Sequence, residues 1–501
     1  MLCFVLIFAG VSAQSNMQTV WQLAYWESFD TACTIILDED RSPTNEELRR
    51  ACGDVLYQAW ETTPVCNRSY GNEPSAVSCT GLFLRRIGQK QREEQINPNL
   101  VDYQAQNLRQ IRFEVANVNC DPASRCDQKP EILLIAHGPD NDSMIRSIHL
   151  RIGTYEAACD GNACQMRLPA TDSAGAWFEY WAMDSSGNQS DHFWLKFRAL
   201  PVQNSATDYY YDVLGDAFPD AGGYGAEVWY TFPEAGADLP PVLEKVPTSD
   251  YLVTKHKFQL LGAKLILNGK VDSSHCANYG LNLDGTPNGC GEQVTAKLVF
   301  DMQNQYDEQI FTASAKQKVP PRIVKGLIAQ ESQFWPTSDV PFEYGLGMLT
   351  ESGADMILRW NSPFYMSVCQ KAYPMNRSKC LGGFSSLDAD DQSLLRGVVI
   401  SKISTDEEID VLAAAIRASV YQVNQIVTNA TGQNASAVSS YEDMWKFTVA
   451  NYYSGSGCLY NAMTQVSLYK QPITWENVRR YLTGMCELGN LYVDRVYELG
   501  N

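Results

Sequence analysis

Residues 321–350 read PRIVKGLIAQESQFWPTSDVPFEYGLGMLT, and this stretch decides how the second half of the chain folds. Apolar residues recur at helical spacing up to Leu327, and Glu331 follows four positions later. This spacing predicts a helix that carries Glu331 on its buried face, in the last turn before Pro336. Burial and the negative end of the helix dipole both disfavour the ionised carboxylate. We therefore expect a carboxylic acid that keeps its proton near neutral pH, as a general acid must.

Three short motifs follow one another in the second half of the chain. They are ESQFWP at 331–336, GLGMLT at 345–350 and ANYYSGSG at 450–457. In this order they resemble the motifs of the lytic transglycosylase domain of the goose-type lysozyme superfamily. That family carries Glu-Ser-x-Phe-x-Pro, then Gly-Leu-Met-Gln-Leu, then Ala-x-Tyr-Asn-Ala-Gly-x-Gly. The resemblance covers roughly residues 276–501.

The resemblance implies an all-α lysozyme-like catalytic domain that acts on the glycan strands of peptidoglycan. The bond cleaved would be the β-1,4 link between N-acetylmuramic acid and N-acetylglucosamine. It implies that Glu331 protonates the leaving oxygen and then takes the proton of the muramyl C6 hydroxyl, which closes a 1,6-anhydro ring. This reaction needs no second carboxylate, unlike that of the paired-carboxylate glycosidases. It also needs neither a cofactor nor a metal.

The resemblance further implies five substrate-binding residues. Ser332 and Tyr452 would orient the catalytic carboxyl group or the acetamido group, and Gly345 would let the backbone approach the sugar. Met348 stands where the family has Gln, and Tyr453 stands where it has Asn. Methionine is a poor hydrogen-bond partner for a sugar amide but packs well under one. These two departures leave the substrate specificity open.

Two other functions compete with the lytic reaction. In a hydrolytic muramidase, Asp339, Glu343 or Glu351 would hold a water molecule opposite Glu331. In a surface or adhesion protein, the helical domain would bind glycan without cutting it. The products of a digestion distinguish the first alternative, and a Glu331→Gln variant distinguishes the second.

The charge balance restricts the partners of the chain. It has 39 Lys and Arg against 58 Asp and Glu, a formal net charge of −19. A nucleic-acid partner is excluded by this balance, because phosphates require a basic surface. Electrostatic capture of an anionic cell wall is disfavoured for the same reason. Affinity for peptidoglycan would therefore come from short-range contacts in a groove.

The cysteines and the N-terminus indicate export. Residues 2–13 form an apolar run too short to span a bilayer and end in a small-residue site, as in a signal peptide. Of the 15 cysteines, all but Cys3 fall into neighbouring couples. These couples are Cys33/Cys52, Cys66/Cys79, Cys120/Cys126, Cys159/Cys164, Cys276/Cys290, Cys369/Cys380 and Cys458/Cys486. No zinc-type spacing of Cys and His occurs, so we expect disulfides in an extracellular or cell-envelope compartment.

A chain of 501 residues is too long for one hydrophobic core, and its composition divides it into five segments. We predict a signal-like apolar segment at 1–13, a disulfide-stapled N-terminal module at 14–105, a β-sandwich at 106–202, a linker or irregular connection at 203–257, and the lysozyme-like domain at 258–501. The sandwich is predicted from short alternating strands, and its last hairpin is similar to those of bacterial immunoglobulin-like domains. Cys159 and Cys164 are expected to close a second hairpin.

Further helices are predicted from apolar stripes and capping boxes. One runs through Thr44–Trp60 and one through Val299–Ala313. A third begins at a capping box in 405–408, and a fourth begins at Ser439 and ends at Gly455 or Gly457. A last pair of helices, near 478–485 and 491–499, is expected to close the domain. The polar run 89–94 is expected to be a solvated face or a linker.

Overall fold

The structure is a computed structural model that describes most of the chain. The described residues are 17–25, 31–37, 41–62, 81–91, 111–138, 145–185, 187–215, 217–218, 222–236, 238–336 and 340–501. The signal-like segment and the couple Cys66/Cys79 lie outside these ranges. Contacts divide the chain into two compact units, Met1–Val101 and Asp102–Asn501. Within the described ranges, no helix has the length and apolar character needed to cross a membrane.

The first unit is a three-stranded antiparallel sheet with one helix. Its elements are β1 (Met17–Tyr25), β2 (Thr31–Leu37), α1 (Asn45–Thr62) and β3 (Leu82–Gln91), with the strand order β2-β1-β3. The capping box is confirmed, because Thr44 N–H donates to Glu47 Oε2 at 2.8 Å and Glu47 N–H donates back to Thr44 Oγ1 at 3.3 Å. The first part of the polar run at 89–94 belongs to β3, which extends to Gln91, and residues 92–94 lie outside the described ranges.

Two antiparallel sheets make up the central part of the chain. The strands are β4 (Arg112–Asn117), β5 (Ser124–Cys126), β6 (Glu131–His137), β7 (Ile145–Ile152), β8 (Tyr155–Asp160), β9 (Ala163–Arg167), β10 (Ala176–Asp184), β11 (Phe193–Pro201) and β12 (Tyr209–Leu214). One sheet has the order β5-β12-β11-β10-β7-β8, and the other has the order β4-β6-β9. Both sheets contribute to one hydrophobic core, to which β6 gives Leu134, β7 gives Leu150 and β11 gives Phe197.

The two predicted hairpins of this region have different outcomes. Strands β10 and β11 pair as an antiparallel hairpin, so that prediction is confirmed. The turn between Cys159 and Cys164 does not close a hairpin, because β8 pairs with β7 and β9 pairs with β6. The chain passes from one sheet to the other at this turn, and the disulfide links the two sheets.

The segment predicted as a linker at 203–257 contains structure that belongs to both neighbouring regions. Strand β12 occupies 209–214 and pairs with β11 and β5. Further on, Trp229 and Leu243 are each 1% exposed within the helical core, and Trp229 Nε1–H donates to the Val420 carbonyl at 3.1 Å. The glycines and prolines of this segment mark turns between short elements that are themselves buried.

The C-terminal part is helical, and sheets occupy the N-terminal and central parts, so the fold class is confirmed at this level. The helices are α2 (Ala226–Trp229), α3 (Gln259–Leu267), α4 (Gly289–Asn304), α5 (Asp307–Gln317), α6 (Pro321–Glu331), α7 (Glu351–Trp360), α8 (Ser362–Ala372), α9 (Ala389–Ile403), α10 (Glu408–Thr431), α11 (Ala435–Val438), α12 (Tyr441–Leu468), α13 (Trp475–Val478) and α14 (Leu488–Leu499). Helix α10 packs along α12, and α14 packs against α6.

Several helix boundaries differ from their predictions. The helix predicted over Val299–Ala313 is two helices, because α4 ends at Asn304 and α5 begins at Asp307. The N-cap of α12 is Ser440, whose hydroxyl accepts the Asp443 N–H. Gly455 interrupts α12 with φ 78°, a backbone angle that favours glycine, so the predicted break is confirmed within a longer run.

Disulfide bonds staple every part of the structure. The six described couples pair as predicted: Cys33–Cys52, Cys120–Cys126, Cys159–Cys164, Cys276–Cys290, Cys369–Cys380 and Cys458–Cys486. Disulfides on this scale form and persist in oxidising compartments, which supports the prediction of an exported protein.

Candidate active site

Glu331 is the last residue of α6, and the packing of that helix holds it in place. Ile323, Val324, Leu327 and Ile328 are at most 1% exposed, as their helical spacing predicts. Lys325 is fully buried as well. Its Nζ donates to Asp307 Oδ1 at 2.6 Å and to the Leu252 carbonyl at 2.5 Å. A helix fixed on all sides in this way fixes the position of the carboxyl group at its end.

The carboxyl group of Glu331 is largely enclosed, and it accepts a hydrogen bond from the Tyr492 hydroxyl. Burial raises its pKa from 4.5 to about 7, and the negative charge of Glu343 acts in the same direction. The Tyr492 hydrogen bond opposes both effects because it stabilises the carboxylate. The resulting group holds a proton near neutral pH, as its place on the helix predicts, and it can also release that proton.

Two tyrosines, Tyr492 and Tyr452, lie beside this carboxyl group, and Tyr453 packs against the first of them. Tyr492, on α14, is 3% exposed and stacks on Tyr453 of α12 with 4.4 Å between ring centroids. The hydroxyl of Tyr452, the neighbouring residue on α12, donates to the Gly347 carbonyl at 2.8 Å. Burial raises the pKa of Tyr452 well above its usual value, and the nearby charge of Glu331 adds to this. The second and third motifs are therefore joined directly to each other and lie beside Glu331.

The glycine-rich loop is a tight turn that is closed by backbone hydrogen bonds. Tyr344 N–H donates to the Leu349 carbonyl and Leu349 N–H donates to the Tyr344 carbonyl, each at 2.9 Å. Gly345 and Met348 both have positive φ, 69° and 47°. Met348 is partly buried at the tip, next to the Gly347 carbonyl that Tyr452 holds.

The side chain of Glu408, the first residue of α10, lies against Gly345. Leu346 N–H donates to Glu408 Oε1, and a Cβ on Gly345 would overlap with this same oxygen and with Ile403. The expected close approach at Gly345 is therefore made by Glu408. The predicted capping box at 405–408 is wrong for the same reason, since the Glu408 side chain leaves its own helix and reaches the loop.

Ser332 does not take the position that the resemblance implied. It is 1% exposed, and its hydroxyl donates to the Ile328 carbonyl one helical turn earlier, at 3.1 Å. Such a bond ties the side chain to the backbone of its own helix. The hydrogen bond to the Glu331 carboxyl group comes from Tyr492.

Two further residues that the sequence reasoning missed fix the turn after Glu331. Gln333 and Phe334 both have positive φ, 48° and 65°. Gln333 Oε1 accepts the N–H groups of Leu260 and Leu261 at the start of α3, at 2.9 and 3.2 Å, and Phe334 is fully buried. These contacts hold a strained backbone in place immediately beside the carboxyl group.

The carboxylates considered as water-holding partners have different surroundings. Asp339 lies outside the described residues. Glu343 is partly buried and close enough for its charge to raise the pKa of Glu331. Glu351 is at the start of α7, and its nearest described cation is Arg396 at 3.9 Å.

One group among the described residues has the spacing of metal ligands, His275 with Cys276 and Cys290. Its two cysteines are joined to each other in a disulfide bond. Their sulfur atoms are therefore not thiolates, which are the form of cysteine that binds metals.

Comparison with known proteins gives no match: no protein family, no curated protein and no solved structure corresponds to this chain.

Proposed function

We propose that the protein is an exported lytic transglycosylase of peptidoglycan, with Glu331 as its single general acid and base. The observation that carries this proposal is the enclosed carboxyl group of Glu331, with a pKa of about 7 and a hydrogen bond from Tyr492. A group that first donates and then accepts a proton works best when its pKa lies near the ambient pH. The opposing effects of burial and of Tyr492 provide this balance.

The proposed reaction uses the contacts around Glu331 in two steps. Glu331 donates its proton to the glycosidic oxygen and becomes a carboxylate, which the Tyr492 hydroxyl stabilises by its hydrogen bond. The carboxylate then takes the proton of the muramyl C6 hydroxyl as C6 oxygen attacks the anomeric carbon and closes the 1,6-anhydro ring. Tyr452 holds the loop that carries Met348, and Met348 would pack under the sugar.

The finer fold assignments belong to this proposal. The helical part would be a lysozyme-like domain, which the motif order supports. The two central sheets would form an immunoglobulin-like spacer or adhesion module, supported by the shared core of two antiparallel sheets. Six disulfide bonds support an extracellular or envelope location.

A hydrolytic muramidase is the second candidate, and Glu343 is the observation that favours it. Its charge acts on Glu331, so a water molecule between the two carboxyl groups would be positioned for attack. A protein that binds glycan without cutting it is the third candidate, from a different class.

Incubation of the full chain with purified sacculi, followed by mass spectrometry of the released fragments, separates these candidates. We expect fragments that end in 1,6-anhydro-N-acetylmuramic acid. The Glu331→Gln substitution should lower the rate of their release at least about 10²-fold. The Glu498→Gln substitution, at an exposed glutamate of α14, should leave this rate unchanged.

Other outcomes of this digestion would overturn the proposal. Reducing-end fragments that also disappear with Glu343→Gln would show a muramidase. Sedimentation of the protein with sacculi, without fragments, would show a binding protein. Full activity of the Glu331→Gln variant would exclude every enzymatic candidate that depends on this residue.

A further inference from the structure

A cleft of about 510 Å³ lies between the six-stranded sheet and the helical part of the second unit. Its walls come from β11, from residues 230–235 and 238–240, and from residues 436–442 around the start of α12. The cleft is lined by none of the residues assigned above to the reaction at Glu331.

Lys196 lies at this cleft as a buried cation that forms no ion pair with a described carboxylate. It is 4% exposed, and its Nζ donates to the Tyr230 carbonyl at 2.8 Å. No carboxylate oxygen of the described residues lies within ion-pair distance of it. The charge of Asp172 acts on Lys196 from beyond ion-pair distance and raises its pKa, and Asp172 Oδ1 itself accepts the N–H groups of Ala174 and Gly175. Burial lowers the pKa of Lys196 to about 8, which expresses the cost of keeping this charge away from water.

Arg198, the second cation of the cleft, is neutralised within the protein. It is 3% exposed, and its Nε and Nη2 both donate to Asp212 Oδ2, at 2.8 and 2.5 Å. It lies two residues after Lys196 on β11, so both side chains project from the same face of the strand. Among the described residues of the cleft, Lys196 is therefore the cation that has no carboxylate within ion-pair distance, and one of its three N–H groups has a described hydrogen-bond acceptor.

Acidic side chains line the outer part of the same cleft. Glu234 and Asp238 are exposed and belong to its lining, as does Glu442, which pairs with Lys446 at 2.6 Å. A buried cation below exposed carboxylates repels a multiply charged anion at the entrance. It is complementary to a ligand that has both a carboxylate and an ammonium group.

We propose that this cleft binds a zwitterionic short peptide, with the Lys196 ammonium group bound to the ligand carboxylate and Glu234 and Asp238 beside the ligand ammonium group. The site does not depend on the reaction at Glu331, so it goes beyond the proposed function. Free peptides and the peptide stems of peptidoglycan share this chemistry. The cleft residue Glu442 and Tyr452 are both on α12, about 15 Å apart along the helix.

Calorimetric titration of the full chain with trialanine, trialanine amide and N-acetyltrialanine tests this proposal. We expect trialanine to bind, the amide to bind at least tenfold more weakly, and the acetylated peptide to bind at an intermediate level. Lys196→Met should weaken trialanine binding at least tenfold. Lys297→Met, which removes an exposed lysine of α4, should not change it.

A second variant keeps the test decisive if Lys196→Met fails to fold. The double substitution Glu234→Gln and Asp238→Asn changes two exposed side chains, and it should weaken the binding of trialanine but not of N-acetyltrialanine. Stem peptides released from sacculi, titrated in parallel, distinguish the two sources by their relative affinity. The proposal is overturned if trialanine and its amide bind equally, if neither binds, or if inorganic phosphate binds as tightly as trialanine.

Discussion

Glu331 combines two opposing influences on one proton. Removal from water favours the protonated acid, while the Tyr492 hydroxyl favours the carboxylate. Burial alone would keep the group protonated, and the hydrogen bond alone would keep it ionised. Each influence alone would therefore suit only one direction of proton transfer. Together they place the pKa at about 7, where both forms are accessible.

This raised pKa makes a prediction about stability. The pKa of Glu331 is about 7 in the folded protein against an ordinary value of 4.5, so between these values the folded state binds the proton and the unfolded state does not. The stabilisation contributed by the protonated Glu331 is therefore complete below about pH 4.5, and it is lost as the pH rises towards 7. Glutamine has no proton to lose, so Glu331→Gln should gain about 3 kcal/mol relative to wild type between about pH 4 and pH 8.

Urea unfolding of both proteins at the two pH values, followed by tryptophan fluorescence, measures this gain in the transition of the helical part. Glu498→Gln serves as the control, because its carboxyl group is exposed. A difference between Glu331→Gln and wild type that is the same at both pH values would show that the Glu331 carboxyl group titrates normally.

At the scale of elements, the glycine-rich loop depends on the start of α10. Glu408 accepts the Leu346 N–H, and Gly345 leaves room for this carboxylate. Burial raises the pKa of Glu408, and the backbone hydrogen bond opposes that shift. The loop, α10 and α12 thus form one connected support for the side of the site opposite α6.

Gly345→Ala tests this support. The substitution places a Cβ against Glu408 and Ile403 at a φ of 69°, so we expect a loss of about 2–3 kcal/mol in the free energy of unfolding. Gly397→Ala is the matched control, since a Cβ there meets no atom within 4 Å inside α9. That control should be neutral or stabilising by up to about 1 kcal/mol. Equal stabilities of the two variants would contradict the contact between Glu408 and the loop.

Helix α10 also shows that a local sequence signal is not always sufficient to predict a hydrogen bond. The Thr44–Glu47 capping box formed as its spacing predicts because both partners lie within one turn. The equal signal at 405–408 failed because Glu408 has a partner 62 residues away, at Leu346. Tyr492 was placed on a predicted helix, but its contact with Glu331 spans 161 residues and no periodicity shows it.

At the scale of the whole molecule, contacts between residues close in sequence could be predicted, whereas contacts between distant residues could not. The disulfide couples could be predicted because their separations run only from 5 to 28 residues. The buried role of 203–257 could not, because Trp229 meets Val420 across 191 residues. The composition of such a segment predicts turns. That its few apolar residues belong to the hydrophobic core is visible only in the folded structure.

The proposed reaction depends on the protonation of Glu331, which a direct titration tests. Carbon-13 NMR of protein labelled at its glutamate carboxyl groups, with the Glu331 signal assigned by its loss in Glu331→Gln, gives the pKa of this group alone. We predict a midpoint of about 7. A midpoint near 4.5, the ordinary carboxyl value, would contradict the enclosed acid on which the proposed reaction rests.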